Sequence, residues 1–255
     1  MSENRKFSVL MSVYVKENPA FLEEAVESIL HQTLKPSEVV IVEDGPLTPE
    51  LYQVLEKLEA QSSIPIKRCP LEQNRGLGLA LQYGVLQCQY DVIARMDTDD
   101  IAVEDRFEQQ FELMEKENLD LLGGHIAEFI DQPDEIVSYR RVPTKHEDII
   151  AYQRMRSAFN HMTVMFKKEM VLKAGNYEDG LYMEDDLLWL NMISAGARTG
   201  NVDQILCKVR VGAGMFERRG GLRYLKLYRQ ARKRMHARGQ ISYGEYLKSV
   251  LIQVV

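Results

Sequence analysis

Ile93-Ala94-Arg95-Met96-Asp97-Thr98-Asp99-Asp100 decides the fold of this 255-residue chain, because an apolar, strand-like run ends abruptly in three carboxylates within four residues. Three like charges at a buried strand tip are costly without a compensating cation, and oxygen ligands at this spacing suit a divalent ion. In open α/β sheets the ligand crevice lies outside the carboxyl ends of the strands, where these aspartates would sit. An EF-hand loop is excluded, since Ile101 and Ala102 occupy positions that need an oxygen ligand and a glycine.

Upstream of this stretch strands and helices alternate. Phe7 to Val15 reads as a strand, and Asn18-Pro19 supplies an N-cap and first-turn proline for a helix carrying Phe21, Leu22, Ala25, Val26, Ile29 and Leu30. Val39 to Val42 reads as a second strand, Thr48-Pro49 opens a second helix, Ile64 to Cys69 is a third strand and Gly76 to Gln87 a third helix. Val92 to Met96 then delivers the aspartates. The pattern predicts an α/β fold with a right-handed, Rossmann-like, mostly parallel central sheet and helices on both faces. Such a layout suits a nucleotide but does not by itself fix the chemistry.

Downstream the expected elements are a helix over Glu104 to Lys116 and an extended segment over Leu119 to Ile130. A capping box at Thr144-Lys145-His146-Glu147 should open a further helix, and His161 to Phe166 reads as a strand. A last helix, Glu184 to Ala197, begins with Glu184-Asp185-Asp186, an acidic first turn that the helix dipole alone would explain.

An apolar content of 45% is enough for a substantial core. Three cysteines far apart, without metal-ligand spacing, argue against a disulfide framework and fit a reducing cytoplasm. The apolar run near the start is too short for a membrane span. The net charge of −6 hides a polarity: Lys208 to Arg238 holds eleven Lys or Arg against one Glu, so it carries +10 and the remainder −16. Within it Tyr224, Leu227, Tyr228, Ala231 and Met235 recur at helical spacing, leaving Arg223, Lys226, Arg229, Arg232 and Lys233 largely on other faces. This basic C-terminal helical extension is either a solvated surface helix or a contact for an anionic membrane. Nucleic acid is not expected, since no recognition motif accompanies the charge.

FSVLMSVYVKE from Phe7, VVIVEDGP from Val39, NRGLGLALQYG from Asn74, ARMDTDDI from Ala94 and YMEDDLLWL from Tyr182 resemble, in order, the motifs of the family 2 inverting glycosyltransferases of the GT-A fold. The resemblance is strongest to bacterial enzymes that build O-antigen and exopolysaccharide repeat units, including the amylovoran type. It implies a donor-binding half over 1–118, an acceptor-binding and catalytic half over 119–211 of the same domain, and the basic helical region over 212–255. The implied reaction moves galactose or glucose, in β-1,3 linkage, from a UDP-sugar to a GlcNAc-diphospho-polyprenol or oligosaccharide acceptor. The implied cofactor is Mn²⁺ or Mg²⁺, and the implied location is cytoplasmic, peripheral on the inner face of the bacterial membrane.

The same resemblance assigns Ser12 and Tyr14 to the uracil, Asp44 to its imide N–H, and Asn74 and Arg75 to the base or diphosphate. Asp97 goes near the ribose, Asp99 to the metal and Asp100 to a supporting place. Asp185 is the implied catalytic base, with Glu184 before it and His161 on the acceptor side. Arg218 and Arg219, beside Gly220-Gly221, suit a lid over the diphosphate, since guanidinium forks match phosphate oxygens. Taken singly, Tyr14 also reads as a half-buried strand aromatic, Asp44-Gly45-Pro46 as a turn, Asn74-Arg75 as a helix start and His161 as a packed residue. Two other readings stay open: a haloacid-dehalogenase-like phosphohydrolase, through DTDDI, and a noncatalytic nucleotide-sugar-binding protein.

Overall fold

The computed structural model describes residues 5–179, 183–212 and 221–254. Its first half alternates as the sequence pattern requires: β1 (Phe7–Val13), α1 (Pro19–Leu30), β2 (Glu38–Glu43), α2 (Pro49–Gln61), β3 (Ile66–Pro70), α3 (Leu77–Gln87) and β4 (Val92–Arg95). The Asn18 side chain accepts the Ala20 N–H at 2.9 Å and Thr48 Oγ1 that of Leu51 at 3.3 Å, each with proline next in line. Caps of this kind contribute about 1 kcal/mol each.

These four strands pair in parallel in the order β3-β2-β1-β4. Their side chains alternate between two cores. Val9, Met11, Val39 and Ile41 pack with Leu22, Val26, Leu51 and Leu55 of α1 and α2. Leu10, Val40 and Val42 pack with Ala80, Leu81 and Val85 of α3 on the other face. Burial on both faces explains why the strands read as continuous apolar runs. Because α3 carries the chain back past β1, the strand order reverses between β1 and β4, and the crevice outside their carboxyl ends is where ligands bind in such sheets.

The rest comprises β5 (Ile101–Ala102), α4 (Arg106–Glu117), β6 (Leu121–Phe129), β7 (Ile136–Arg140), α5 (His146–Gln153), β8 (Met165–Lys167), α6 (Lys168–Lys173), α7 (Glu184–Ser194), β9 (Thr199–Arg210), α8 (Gly221–Ala237) and α9 (Tyr243–Val254). β8 joins the halves, antiparallel to both β4 and β6, while β9 runs parallel to β6 and antiparallel to β5. The strand expected from His161 begins only at Met165. His161–Thr163 is a 3-10 turn, held by Thr163 Oγ1 donating to the Asn160 carbonyl at 2.8 Å. The capping box does not form either: Lys145 is the N-cap of α5, and the Thr144 carbonyl instead accepts the Asn201 N–H at 3.1 Å.

The C-terminal helices dock on α7. Met235 and Ile241 pack with Leu187 and Leu190, and Tyr228 and Ala231 with Met183. The apolar spacing of α8 therefore holds, but Arg232 does not lie on an outer face. It is fully buried, donating through Nε to Ser249 Oγ at 3.0 Å and through Nη2 to the Arg154 carbonyl. Four residues after Tyr228 and three before Met235, it shares their helix face, and its fork satisfies acceptors on two other segments. Lys226, Arg229 and Lys233 are exposed. No described helix is long and apolar enough to cross a membrane.

Candidate active site

β4 ends at Arg95, and the chain then turns through Asp97, Thr98, Asp99 and Asp100 into β5. Backbone bonds fix both sides of that turn: the Met96 N–H reaches the Leu10 carbonyl at 3.1 Å, and Ile101 and Ala102 pair with Lys208 and Cys207. Carboxylate oxygens of Asp97, Asp99 and Asp100 lie within 4.8 Å of one another. At that separation two unit charges repel by about 3.5 kcal/mol at an effective dielectric of about 20, so the cluster needs compensation.

Part of that compensation comes from the chain itself. Arg95 is wholly buried and its Nη2 donates to Asp97 Oδ1. Beneath it Arg106, also wholly buried, donates through Nη2 to the Arg95 carbonyl at 2.7 Å and through Nη1 to Met96 Sδ at 3.1 Å. The compensation is incomplete. Burial, with Asp97 and Glu17 nearby, pushes the Asp99 carboxyl up to about 7 against the pull of Arg95. Burial and the two neighbouring aspartates drive Asp100 well above the ordinary carboxylate range. Surplus negative charge on a set of hard oxygen donors fits a divalent cation.

The three aspartates are not equivalent. Asp97 is tied to Arg95, and Asp100 Oδ1 accepts the Arg210 N–H at 3.0 Å. Asp99 makes no side-chain hydrogen bond to another described residue and is half-buried.

Ser12 and Tyr14, at the end of β1, are half-buried beside this turn, and the Ser12 carbonyl accepts from Thr98 Oγ1 at 3.3 Å. The same hydroxyl donates to Glu17 Oε2 at 2.7 Å, which brings a further carboxylate to Asp99. Asp44 is buried, and its two oxygens accept the Arg75 and Gly76 N–H groups at 2.7 and 3.0 Å, while Asn74 Nδ2 donates to its carbonyl at 3.1 Å. It thus clamps the loop before α3, leaving Asn74 and Arg75 exposed; each oxygen keeps a second lone pair. Gly45, at φ +85, lets the loops touch, since a Cβ there would lie 2.5 Å from Asn74 N.

A second acidic group lies within electrostatic reach of Arg95. Glu184 and Asp185 open α7 and are half-buried. The first turn of α3 abuts them: a Cβ on Gly78 would lie 3.0 Å from Glu184 Cβ. Burial first, then Asp186 and Glu184, pushes the Asp185 carboxyl up to about 7, with the Asp186 amide and Arg95 pulling the other way. Burial likewise raises Glu184. Asp186 is buried and structural, accepting from Gln153 Nε2 at 2.7 Å.

His161 is occupied within the protein. Its Nε2 and the Tyr177 hydroxyl are 2.9 Å apart and its ring meets Trp189 edge-on at 5.8 Å. Burial and Arg95 hold it well below the usual imidazole range, hence neutral. Tyr177, raised by burial, lies within electrostatic reach of Asp185, Glu184 and Asp97. Arg218 and Arg219 lie outside the described residues.

Sequence reasoning missed Arg95, Glu17, Tyr177 and Arg210. Arg95 carried a readable signal, since a cation inside the apolar run from Ile93 must find a buried partner.

A sequence profile of Glycosyl transferase family 2 matches residues 8–176. The chain is 42% identical over 221 residues to the amylovoran biosynthesis glycosyltransferase AmsE of Erwinia amylovora, covering 86% of this chain and 82% of that one. It is 35% identical over 250 residues to the UDP-Gal:alpha-D-GlcNAc-diphosphoundecaprenol beta-1,3-galactosyltransferase of Escherichia coli, covering 98% and 90%. Among solved structures it resembles the mannosyltransferase PcManGT of Pyrobaculum calidifontis in complex with GDP-Man and Mn²⁺, at a TM-score of 0.69 and 15% identity. That match covers 91% of this chain but only 64% of the other, and it supports the shared fold alone.

Proposed function

The chain belongs to glycosyl transferase family 2 and is a glycosyltransferase of the GT-A fold, and from that premise we propose that it is a metal-dependent inverting hexosyltransferase. It takes galactose or glucose from a UDP-sugar and attaches it, in β-1,3 linkage, to a GlcNAc-diphospho-polyprenol or oligosaccharide acceptor of a bacterial surface polysaccharide. One observation carries this reading: two carboxylate groups, Asp97-Asp99-Asp100 at the β1/β4 reversal and Glu184-Asp185 at the start of α7, lie within electrostatic reach of the same buried Arg95. The activity named for the 35%-identical relative supports the donor and acceptor classes. A phosphohydrolase does not belong to this family, and a mere binder would have no use for Asp185.

In this reading Ser12 and Tyr14 form the uracil wall, and Tyr14 stacks on the base. Asp44 keeps its loop in register and offers a remaining lone pair to the imide, while exposed Asn74 and Arg75 reach the diphosphate. Asp97 orients the ribose and Asp99 holds the metal. Bound Mn²⁺ or Mg²⁺ would neutralise charge on the departing UDP. Asp185 takes the proton of the acceptor hydroxyl as its oxygen attacks the anomeric carbon opposite the leaving group. Arg95 favours the ionised form of that base. His161, engaged with Tyr177, shapes the acceptor side without titrating.

Residues 1–118 form the donor half and 119–211 the acceptor half in this account. The helices of 212–255 add exposed Lys226, Arg229 and Lys233, which suit peripheral contact with the anionic inner face of a membrane. Buried Arg232 takes no part in that contact.

The test is a donor screen. The protein is incubated with a panel of UDP- and GDP-sugars and a GlcNAc-diphospho-lipid, with Mn²⁺ or with chelator, and released nucleotide is measured. Release from UDP-hexoses only, acceptor-dependent and lost with chelator, is expected. Acceptor-independent phosphate release, or turnover indifferent to chelator, would contradict the proposal.

A further inference from the structure

The side chain of Arg210 belongs to none of the roles above, yet four contacts converge on it and its backbone makes a fifth. It is the last residue of β9 and pairs with Phe129 of β6. Its backbone N–H donates to Asp100 Oδ1 at 3.0 Å, and its Nε lies 3.4 Å from the Asp99 carbonyl. Its Nη2 donates to Glu24 Oε2 on α1 at 2.6 Å. Its guanidinium carbon lies 3.8 Å from the ring centre of Phe21 and 4.6 Å from that of Phe129.

The arrangement ties α1 to the aspartate turn. Phe21 and Glu24 sit on α1, which directly follows the loop carrying Tyr14 and Glu17. Asp99 and Asp100 form the turn opposite. The Asp99 carboxylate itself makes no side-chain bond to another described residue, so its direction follows from the peptide that joins Asp99 to Asp100. Arg210 holds that peptide's carbonyl with its side chain and the following carboxylate with its backbone.

We propose that Arg210 is a positioning residue that aims Asp99 at a divalent cation and sets the aspartate turn against α1. This deepens the metal reading of Asp99 and rests on it. The bonds are of unequal worth. A partly exposed ion pair contributes little, whereas a planar guanidinium between two rings is harder to replace. Lysine keeps the charge but not the planar fork that reaches Glu24 and the Asp99 carbonyl together.

The experiment is calorimetry of UDP binding to the full chain, with and without Mn²⁺, in wild type, Arg210→Met, Arg210→Lys and Glu24→Gln. Methionine keeps an apolar stem between Phe21 and Phe129 while removing the fork. Arg210→Met should weaken Mn²⁺-dependent UDP affinity by about 10- to 100-fold, the range typical of residues that orient metal ligands. Its metal-free UDP affinity and far-UV circular dichroism should stay at wild-type values. Arg210→Lys should recover only part of the loss, and Glu24→Gln should show a smaller loss of the same kind.

Unchanged Mn²⁺-dependent affinity in Arg210→Met overturns the proposal. So does an equal fall with and without metal, which marks a merely structural role. If Arg210→Met does not fold, Glu24→Gln decides on the same ratio. Wild type without any Mn²⁺ effect would overturn the Asp99 assignment itself, and this proposal with it, an outcome separate from failure of the variants alone.

Discussion

Asp185 has the environment of a base matched to neutral pH: half-buried, beside two other carboxylates, with its own carboxyl pushed up to about 7. As the proposed base, Asp185 acts in its ionised form, so kcat/KM should rise as pH climbs through a limb near 7 and level off above it. Asp186→Asn removes a like charge that raises Asp185, so that limb should move to lower pH; a limb unmoved by the substitution would separate Asp185 from the titration seen. At this scale the sequence was legible where chemistry clusters. Asp97, Asp99 and Asp100 stood out because carboxylates rarely end an apolar strand, but their division of labour did not. That division came through the family resemblance alone; the residues that give the three aspartates different partners in the structure are Arg95, which lies inside an apolar run, and Arg210, 110 residues beyond Asp100 in the chain. The counter-charge that the aspartates demand is thus partly internal, and the raised carboxyls of Asp99 and Asp100 show it to be incomplete.

Elements with strong local signals formed where they were expected. α1 and α2 begin at the residues whose side chains cap them, and the paired faces of β1 and β2 follow the two-residue alternation. Those governed by distant partners did not. At His161 a turn replaces the strand, with Thr163 and Asn160 bonded to each other and Asn160 to the Gly124 carbonyl of β6, and the N-cap of α5 falls one residue late, at Lys145, while the Thr144 backbone pairs with Asn201 of β9. Charge misled most at α8, where Arg232 is buried. Arg232→Met should cost about 1–3 kcal/mol, since it frees buried acceptors, and should lower Tm by several degrees in a thermal melt. Arg229→Gln with Lys233→Gln, on the exposed side, should stay within about 0.5 kcal/mol of wild type. In the loops, Gly45→Ala forces a non-glycine residue to φ +85 and a contact of 2.5 Å with Asn74. A loss of about 1–3 kcal/mol, with weaker UDP binding, is the expected result in denaturation and calorimetry.

For the whole molecule the sheet order is what brings scattered motifs together. β1 and β4 are separated by two strand-helix units in sequence but are neighbours in the sheet, so the segment after β1 meets the aspartate turn through Thr98, bonded to Ser12 and Glu17. α7 arrives from the other half, pressed against α3 near Gly78. Fold class was legible from the alternation alone; in the mixed second half β6 and the helices α4 and α7 stand where they were expected, whereas β9 and the antiparallel junction through the three-residue β8 depend on partners distant in the chain.

Gathering so many acids has a cost in stability with a definite sign. Asp99 and Asp185 have folded-state carboxyls near 7, and Asp100 is raised as well, so between the ordinary carboxylate range and about 7 the folded chain holds more protons than the unfolded one. Their contribution is present at acid pH and lost as pH rises through that window. Asp99→Asn should therefore flatten the fall in Tm between about pH 5 and 8, and Mn²⁺ should stabilise wild type more at the upper end than the lower. Parallel Tm–pH curves for the two proteins would remove Asp99 from the account.

The most direct measurement is turnover of Asp185→Asn against wild type, at saturating UDP-hexose, Mn²⁺ and lipid-linked acceptor, with UDP affinity measured on the same samples. Loss of the base should lower transfer by about 10²- to 10⁴-fold while UDP affinity stays within about threefold of wild type. Transfer at the wild-type rate, or a collapse of UDP affinity alongside it, would contradict the assignment of Asp185 as the base that this donor-and-acceptor geometry serves.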